Sequence, residues 1–251
     1  MTIGAGPGAR RVYSSMPQTL GLVDYWHMLH RVWRYRLRTE RDEIRFLLGQ
    51  DLGGKLSVDI GANRGIYSYW MHKRVGPAGQ VVGFEPQPEM IEALNRLKNS
   101  FKLTNFRIVN AGLSTEPGEL RLVRKPDHWG GASFEREPTG DEESMVVPVT
   151  TLDLYSEEHF DRPVAFIKCD VEGHEPAVFK GAERVLREHR PTLLFECHEQ
   201  QVADGSFFGY LAGLGYAGSF FFDGGLLPIG RLEELRPRID KPYLNYVFRP
   251  S

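Results

Sequence analysis

The chain has 251 residues, of which 41% are hydrophobic and 25% charged, as expected for one soluble globular domain with a sizeable core. Its formal net charge is -2, so the chain has no global positive field that would gather nucleic acid or an anionic membrane. The first residues lack the apolar core of a secretory signal, and no run approaches the roughly 20 apolar residues of a membrane span. We therefore expect a cytoplasmic protein without a transmembrane segment.

The first fifty residues are predicted to form two segments. Residues 1–18 are rich in glycine and proline, which predicts a flexible arm. Over residues 19–50, apolar side chains recur at helical spacing among many arginines, a pattern typical of an amphipathic helix or helix pair. Such helices usually pack on their own domain, so we expect this segment to lie against the remaining residues, 51–251.

From residue 51 onward, short apolar strands alternate with stretches of helical periodicity. The strands are predicted at residues 56–60, 81–85, 106–110, 165–170 and 192–197, with helices between them, notably at 88–98 and 176–189. Continuous apolar strands separated by helices are typical of a parallel sheet that is buried on both faces. The sequence therefore predicts a doubly wound α/β domain.

The alternation lapses between residues 112 and 161, where two β-rich pieces flank the polar stretch DHWGGASFEREPTGDE. We expect a β-hairpin or loop excursion there, lying over the active face. A helix at residues 207–214 is then followed by SFFFDGGLLPIG and PYLNYVFRP, which we interpret as the two final strands of the sheet.

The stretch VDIGANRGIY, residues 58–67, follows the first strand, where ligands bind in open α/β sheets. Gly61 and Gly65 remove the Cβ atoms that would keep a ligand away, and Asp59 can accept hydrogen bonds at the strand end. A dinucleotide fingerprint would also need glycines at Asn63 and Ile66, and no Walker GK[ST] is present. The loop therefore disfavours both dinucleotides and nucleoside triphosphates.

A second acid, Glu85 in VVGFEP, ends the next predicted strand. A carboxylate offers two acceptor oxygens to the vicinal diol of a ribose. The two acids occur without a phosphate-binding motif. This combination favours a nucleoside that carries a positive group, such as S-adenosylmethionine.

Five segments in this order and spacing, VDIGANRGIYS, VVGFEPQPEM, VPVTTLDLY, FIKCDVEGHEPAVFKGAERVL and PTLLFECH, resemble the FkbM family of S-adenosylmethionine-dependent methyltransferases. The resemblance covers residues 56–198. It implies a class I methyltransferase fold, a Rossmann-like seven-stranded sheet with the last strand antiparallel, over residues 51–251. It also implies O-methylation of a hydroxyl, often on a sugar, while the identity of the acceptor does not carry over.

Matched one at a time to the family's motifs, ten positions are implied to hold the cofactor. They are Asp59, Gly61, Ala62, Asn63 and Gly65 for the methionine part, Glu85 with Pro86 for the ribose, Asn110 with Ala111 for the adenine edge, and Asp170 beside the sulfonium.

Methyl transfer to a hydroxyl requires alignment of the reacting atoms and a way to remove the hydroxyl proton. Five titratable side chains follow the fourth and fifth strands, which are neighbours in this fold: Asp170, Glu172, His174, Glu196 and His198. In one arrangement, His198 or His174 is the general base and a carboxylate orients its ring. In the other, Asp170 and Glu196, with or without a histidine, hold Mg²⁺. We favour the histidine base because its unperturbed pKa lies near working pH, and we leave Mg²⁺ open. Glu172 is equally interpreted as a structural residue of the following turn.

The polar stretch supplies candidate acceptor contacts at His128, Trp129 and Ser133, because an aromatic ring can stack on a sugar and a hydroxyl can hydrogen-bond to it. We expect a hydroxyl-bearing small molecule or a saccharide in a polysaccharide, glycolipid or glycosylated metabolite as acceptor. No nucleic acid partner is expected, and a homodimer is left open. The alternatives are a methyltransferase acting on RNA or protein nitrogen and a cofactor-binding module without catalysis.

Overall fold

Two β-sheets organise the protein. The computed structural model describes residues 18–126 and 128–251, so the predicted arm lies almost wholly outside the described residues, as do the side chains of residues 127–129. In chain order the strands are β1 (Leu56–Ile60), β2 (Gln80–Phe84), β3 (Phe106–Val109), β4 (Gly112–Leu113), β5 (Gly118–Lys125), β6 (His128–Ser133), β7 (Glu143–Thr150), β8 (Val164–Cys169), β9 (Thr192–His198), β10 (Tyr216–Phe222), β11 (Gly225–Pro228) and β12 (Tyr243–Pro250).

Helices connect these strands and precede the first of them. They are α1 (Leu22–Arg34), α2 (Arg41–Gly49), α3 (Ile66–Val75), α4 (Pro88–Phe101), α5 (Leu152–His159), α6 (Glu175–Lys180), α7 (Glu183–His189), α8 (Glu199–Val202), α9 (Ser206–Gly213) and α10 (Leu232–Leu235). A π-helical turn at Tyr35–Thr39 joins α1 to α2, and 3-10 turns at Ile229–Arg231 and Arg236–Arg238 flank α10. Within the described ranges, no helix is long and apolar enough to cross a membrane.

The main sheet has the strand order β11-β10-β12-β9-β8-β1-β2-β3. Strands β3, β2, β1, β8 and β9 pair in parallel, and β12 is antiparallel to both of its neighbours, β9 and β10. The five predicted parallel strands begin and end within one residue of the observed ones. The doubly wound fold with an antiparallel last strand is confirmed.

The sheet has an eighth strand that the sequence did not predict. The segment SFFFDGGLLPIG, interpreted as one strand, folds back on itself as β10 and β11, joined by Asp223 and Gly224. Both residues have positive φ, 49° and 75°, and this left-handed pair is what a tight two-residue hairpin requires. Strand β11 therefore extends the edge of the sheet.

Hydrophobic clusters cover both faces of the main sheet. Leu56, Val58 and Ile60 of β1 belong to the cluster that contains α6, α7 and α9 residues, while α2, α3 and α4 residues pack in the second cluster. Every residue of β1 is buried, as the parallel arrangement requires. The polar Ser57 and Asp59 of β1 are thus held inside the protein.

The predicted excursion is a second sheet with the strand order β4-β7-β5-β6. Strand β5 pairs antiparallel with β6 and β7, and β4 pairs in parallel with β7. This sheet is larger than the expected hairpin, because β7 pairs with β5 at seven positions and also pairs with β4. We call β4 to β7 the small sheet.

The N-terminal helices lie against α3. Val32 of α1 is fully buried, and its carbonyl accepts a hydrogen bond from Nε1 of Trp70 at 3.4 Å. Trp33 packs edge-on against Trp70, with ring centroids 5.5 Å apart. The guanidinium of Arg36 lies over both indole rings, 5.0 and 4.6 Å from their centroids. These aromatic and cation-π contacts fix α1 beside the start of α3.

Candidate active site

A pocket of about 380 Å³ lies at the carboxyl ends of β1, β2 and β8, where an open α/β sheet binds its ligands. The loops after these strands form its floor, and Leu122 with residues 130–132 and Phe134 of the small sheet contribute one wall. The N-terminal helices contribute Arg31, Tyr35 and Glu40. The pocket therefore combines three parts of the chain that are far apart in sequence.

The glycines after β1 serve protein contacts. Gly61 has φ 76°, and a Cβ atom there would lie 1.9 Å from the backbone oxygen of Asp170. Gly65, also at φ 76°, would place a Cβ 2.4 Å from a methyl of Leu97 in α4. The sequence predicts that these glycines make room for a ligand. It does not predict that both glycines are also required for close packing between parts of the protein. Gly61 lets the loop pass against the end of β8, and Gly65 lets α3 begin against α4.

Asp59 lies at the floor of the pocket. Its carboxylate accepts a hydrogen bond from the hydroxyl of Ser68 in α3, and both side chains are buried. Burial raises the pKa of Asp59 to about 6, against the opposing effects of Ser68 and Lys168. Asp59 thus ties the end of β1 to the helix that follows the glycine loop.

Glu85 follows β2 and is almost fully buried while lining the pocket. Its Oε2 accepts the backbone N–H of Asn63 at 2.9 Å, and its Oε1 accepts the backbone N–H of Gln87 at 2.9 Å and the side-chain amide of Gln87 at 3.2 Å. Burial raises the pKa of Glu85 to about 7, although these donors favour the charged form. Because a carboxylate has about four acceptor positions, it retains capacity for a ribose hydroxyl.

Asn110 and Ala111, the residues matched to the adenine edge, lie outside the pocket lining. Asn110 is exposed, and its side-chain amide donates to the backbone oxygens of Glu85 and Pro86, at 3.1 and 3.0 Å. Neither Asn110 nor Ala111 lines the pocket, whereas the next residues, Gly112 and Leu113, do. Asn110 therefore stabilises the turn that carries Glu85, and Pro86 itself remains in the pocket wall.

A buried lysine lies beneath the end of β8. Lys168 is 1% exposed, and its Nζ lies 3.3 Å from Oδ2 of Asp170 and 4.9 Å from the centroid of the Tyr67 ring. Burial disfavours the charged form, but the carboxylates of Asp170, Glu40 and Glu196 outweigh it and raise the pKa of Lys168. Lys168 thus remains a cation that balances an acidic pocket floor. Lys168 is not among the predicted site residues, although a lysine inside an otherwise apolar strand is a usable signal.

The hydroxyl of Tyr67 faces the same region. It is buried, lies toward the carboxylate of Glu40, and makes no hydrogen bond of normal geometry in the part of the chain that the structure describes. Glu40 comes from the junction between the π-helical turn and α2, and burial raises its pKa. A buried polar atom that lines a pocket is available to a bound ligand.

Glu172 and His198 form a pair at the rim. Glu172 lines the pocket in a left-handed conformation, φ 52°, and its Oε2 lies 3.8 Å from Nε2 of His198. Burial, and next the charge of Asp170, raise the pKa of Glu172. The His198 ring accepts the backbone N–H of Gln201, and His198 is not part of the pocket lining. The carboxylate therefore faces the pocket, and the histidine lies behind it.

His174 and Ser133 are structural in this arrangement. The two ring nitrogens of His174 contact the carboxylate of Glu135 and, at 2.9 Å, the hydroxyl of Ser114, and the residue is 6% exposed. Ser133 is also buried and donates its hydroxyl hydrogen bond to the backbone oxygen of Glu172 at 2.6 Å. Neither lines the pocket, and the roles of His174 as a base and Ser133 as an acceptor contact stay predictions. Both instead hold the small sheet over the loop after β8.

The structure does not bring the predicted Mg²⁺ ligands into a metal site. Among residues 18–126 and 128–251, no group of three or more His, Cys, Asp or Glu side chains is arranged to hold a metal ion. Glu196 is partly buried, and burial followed by the charge of Asp170 raises its pKa. Asp170 has the ammonium of Lys168 as its neighbour instead. His128 and Trp129 belong to β6, but their side chains lie outside the described part.

Comparisons with known proteins identify the family of the chain. Residues 59–217 match the family model described as the methyltransferase FkbM domain. A hexuronic acid methyltransferase, AglP of Haloferax volcanii, is 29% identical over 161 residues, which cover 63% of each chain. The methyltransferase sdnD of Sordaria araneosa is 30% identical over 135 residues, 53% of this chain and 48% of that protein. The chain thus spans less than two thirds of the length of either curated relative.

A solved structure shows the same fold. A Streptococcus mutans protein, proposed to be a methyltransferase and crystallised in complex with SAH, superposes with a TM-score of 0.51 at 10% identity, covering 84% of this chain and 98% of that one. The family model spans well over half of the chain and includes the glycine loop, Glu85 and the end of β8. The protein therefore belongs to the FkbM family of S-adenosylmethionine-dependent methyltransferases.

Proposed function

We propose that this protein transfers the methyl group of S-adenosylmethionine to a hydroxyl group of a saccharide. The observation that carries the proposal is the pocket at the ends of β1, β2 and β8, where a ribose acid, a glycine loop and an acidic floor lie together. The sugar class is supported by the relative named as a hexuronic acid methyltransferase. A polysaccharide, a glycolipid and a glycosylated metabolite would each present such a hydroxyl.

The cofactor fits the residues that are present. Glu85 would accept the ribose hydroxyls, and the backbone of residues 61–65 would hold the methionine part against β8. The carboxylates of Asp59, Glu40 and Asp170 give the floor a negative character that Lys168 only partly balances, which favours a ligand with positive charge. S-adenosylmethionine supplies the methyl group on a sulfonium, and its positive charge disappears during transfer.

The chain's own contribution is alignment and proton removal. Glu172 lines the pocket at its rim without a lysine or arginine ion pair in the described residues, and burial raises its pKa, which makes this carboxylate a stronger proton acceptor. The His198 ring accepts the backbone N–H of Gln201, and its Nε2 lies 3.8 Å from Oε2 of Glu172. This geometry supports Glu172 as the base and His198 as its positioning residue, the reverse of the order that the sequence favours.

The proposal is tested by binding and by product analysis. We expect calorimetry to show binding of SAH by the wild-type protein, and mass spectrometry to show a methyl ether on a saccharide incubated with S-adenosylmethionine. Parallel reactions with RNA, with a protein extract and with EDTA present examine the alternative acceptors and Mg²⁺. Transfer to RNA or protein nitrogen, without transfer to any saccharide, would contradict the proposal, and failure to bind SAH would remove its basis.

A further inference from the structure

Helix α1 and the π-helical turn after it expose an apolar stripe. Among residues 18–126 and 128–251, eight large hydrophobic side chains are exposed, and five of them lie between residues 22 and 37: Leu22, Val23, Trp26, Trp33 and Leu37. Four of the five recur at intervals of four and seven residues, so they lie along one side of the helix. An apolar patch of this kind on a protein surface usually marks a contact with a membrane, a ligand or another protein. We call these five residues the exposed stripe.

The other side of α1 already packs on the protein. Val32 is buried, and its carbonyl accepts the hydrogen bond of Trp70. The ring of Tyr25 stacks on that of Phe101 in α4, with centroids 4.6 Å apart. These contacts fix the rotation of α1 about its axis, and Trp33 adds an edge contact with Trp70. The exposed stripe therefore faces outward because the scaffold holds it there.

Arginines accompany the exposed stripe. Residues 22–39 carry four arginines, Arg31, Arg34, Arg36 and Arg38, and one acid, Asp24, whereas the whole chain has a net charge of -2. Arg34 and Arg38 are exposed. Neither makes an ion pair with a carboxylate in the part of the chain that the structure describes. This side of α1 thus combines exposed apolar side chains with a local positive charge.

Charge complementarity indicates which partner fits this surface. A helix with tryptophan and leucine beside arginine is typical of one that lies in a membrane interface, where apolar side chains enter the acyl boundary and arginines meet anionic headgroups. A nucleic acid would attract the arginines but would leave Leu22 and Leu37 in water. A symmetric dimer through this surface would bring the arginines of both copies together, with Asp24 as the one acid of α1 to offset them.

We propose that the exposed stripe and the arginines beside it bind the surface of an anionic membrane, with the axis of α1 in the plane of the interface. Arg31 of α1 and Tyr35 of the following turn also line the pocket. The bound protein therefore holds its pocket close to the lipid headgroups. Membrane binding does not depend on the proposed methyl transfer, because it requires neither cofactor nor acceptor.

Vesicle binding by the full chain tests this proposal. Wild-type protein is titrated with vesicles of phosphatidylcholine and phosphatidylglycerol in equal parts, with vesicles of phosphatidylcholine alone, and with RNA, each at low and high salt. One double variant, Trp26→Ser with Leu37→Ser, removes apolar surface from the stripe. A second, Arg34→Gln with Arg38→Gln, removes charge and keeps the stripe.

The small sheet supplies a matched control. Val146 and Arg121 are both exposed and pair with each other across β7 and β5, so Val146→Ser with Arg121→Gln removes one apolar and one basic side chain away from α1. Unfolding midpoints show that each variant is folded.

We expect wild type and the control variant to bind the anionic vesicles at least about 10-fold more tightly than the neutral ones, and less tightly at high salt. The arginine double variant should lose about 10-fold to 30-fold in affinity for anionic vesicles, the effect of two charges near the surface. The apolar double variant should lose at least about 10-fold, because less apolar surface leaves water on binding.

Three results would overturn the proposal. The first is a wild-type protein that does not bind anionic vesicles, or either double variant binding them as wild type does. The second is binding of RNA without binding of vesicles, which would assign the surface to nucleic acid. The third is a wild-type dimer in analytical ultracentrifugation that Trp26→Ser with Leu37→Ser converts to a monomer, without vesicle binding, which would make the stripe an interface between two copies. Failure of the proposed function would look different, since wild type would then bind vesicles without binding SAH or methylating any sugar.

Discussion

The two halves of the pocket are built in different ways. The half assigned to the cofactor comes from short continuous segments, the glycine loop after β1 and the turn after β2, whose backbone atoms and acids act together. The other half is assembled from α1, the small sheet and the loop after β8, which are three separate segments of the sequence. A local motif can specify the first half, whereas the second exists only after the chain has folded.

The largest effect is expected in the acceptor half, at Glu172. Glu172→Gln removes the proposed base while keeping its shape, so turnover should fall by about 10² to 10⁴-fold with SAH affinity nearly unchanged. His198→Ala should cost less, because His198 acts through Glu172. Initial rates across pH distinguish the two roles, and the exposed Glu116→Gln serves as control. A larger loss in His198→Ala than in Glu172→Gln would return the base assignment to the histidine.

In the cofactor half, we expect the next largest effect at Gly61. Gly61→Ala places a Cβ against the backbone oxygen of Asp170 and forces a side-chain residue into positive φ. The free energy of unfolding should fall by more than about 2 kcal/mol, and SAH binding should be lost as the loop moves from β8. Gly209→Ala in α9 is the matched control, since its Cβ meets nothing within 4 Å, and it should be neutral or stabilising by up to about 1 kcal/mol. Equal denaturation curves for Gly61→Ala and wild type would contradict the close approach.

Glu85 should make the stability of the ligand-free protein depend on pH. Its pKa is about 7 in the folded state against 4.5 ordinarily, so folding favours the protonated acid. The protonated Glu85 stabilises the folded protein fully below pH 4.5. As the pH rises from 4.5 to 7, the free energy of unfolding should fall by about 3 kcal/mol because this contribution is lost. The raised pKa of Asp59 should lower the free energy of unfolding further between pH 3.8 and about 6.

Denaturant titrations of the ligand-free protein at intervals between pH 4.5 and 7.5 measure this slope. Glu85→Gln should reduce the slope by the contribution of Glu85 and leave those of Asp59, Glu175 and Glu196, whose pKa values are also raised, while the exposed Glu119→Gln should leave the slope unchanged. Equal slopes for Glu85→Gln and wild type would contradict the raised pKa of Glu85.

The smallest effect is expected at His174. His174→Ala breaks the contacts with Glu135 and Ser114, so the unfolding free energy should fall by about 1 to 2 kcal/mol. Turnover of the folded variant should stay within about threefold of wild type, because His174 does not line the pocket. The exposed His27→Ala is the control. A loss of turnover as large as that of Glu172→Gln would contradict the structural role.

Features that depend on residues close together in the sequence could be predicted, whereas features that depend on distant contacts could not. The parallel strands were predicted within one residue because buried parallel strands are continuous apolar runs, which are visible locally. The hydrogen bonds of His174 and Ser133 could not be predicted because their partners, Ser114 and the backbone of Glu172, lie 60 and 39 residues away. Arg31 and Glu40 were not singled out, since charged residues on an amphipathic helix ordinarily face solvent.

By itself, the sequence determined the family, the parallel sheet and the position of the ribose acid, because each depends on residues that are close together along the chain. Only the tertiary structure decided which titratable groups reach the pocket. It placed Glu172 in front of His198, paired Lys168 with Asp170, and brought Arg31 and Glu40 from the N-terminal helices to the pocket wall. The physical reason is that side-chain direction at strand ends and between packed helices depends on contacts with distant segments, which no local periodicity records.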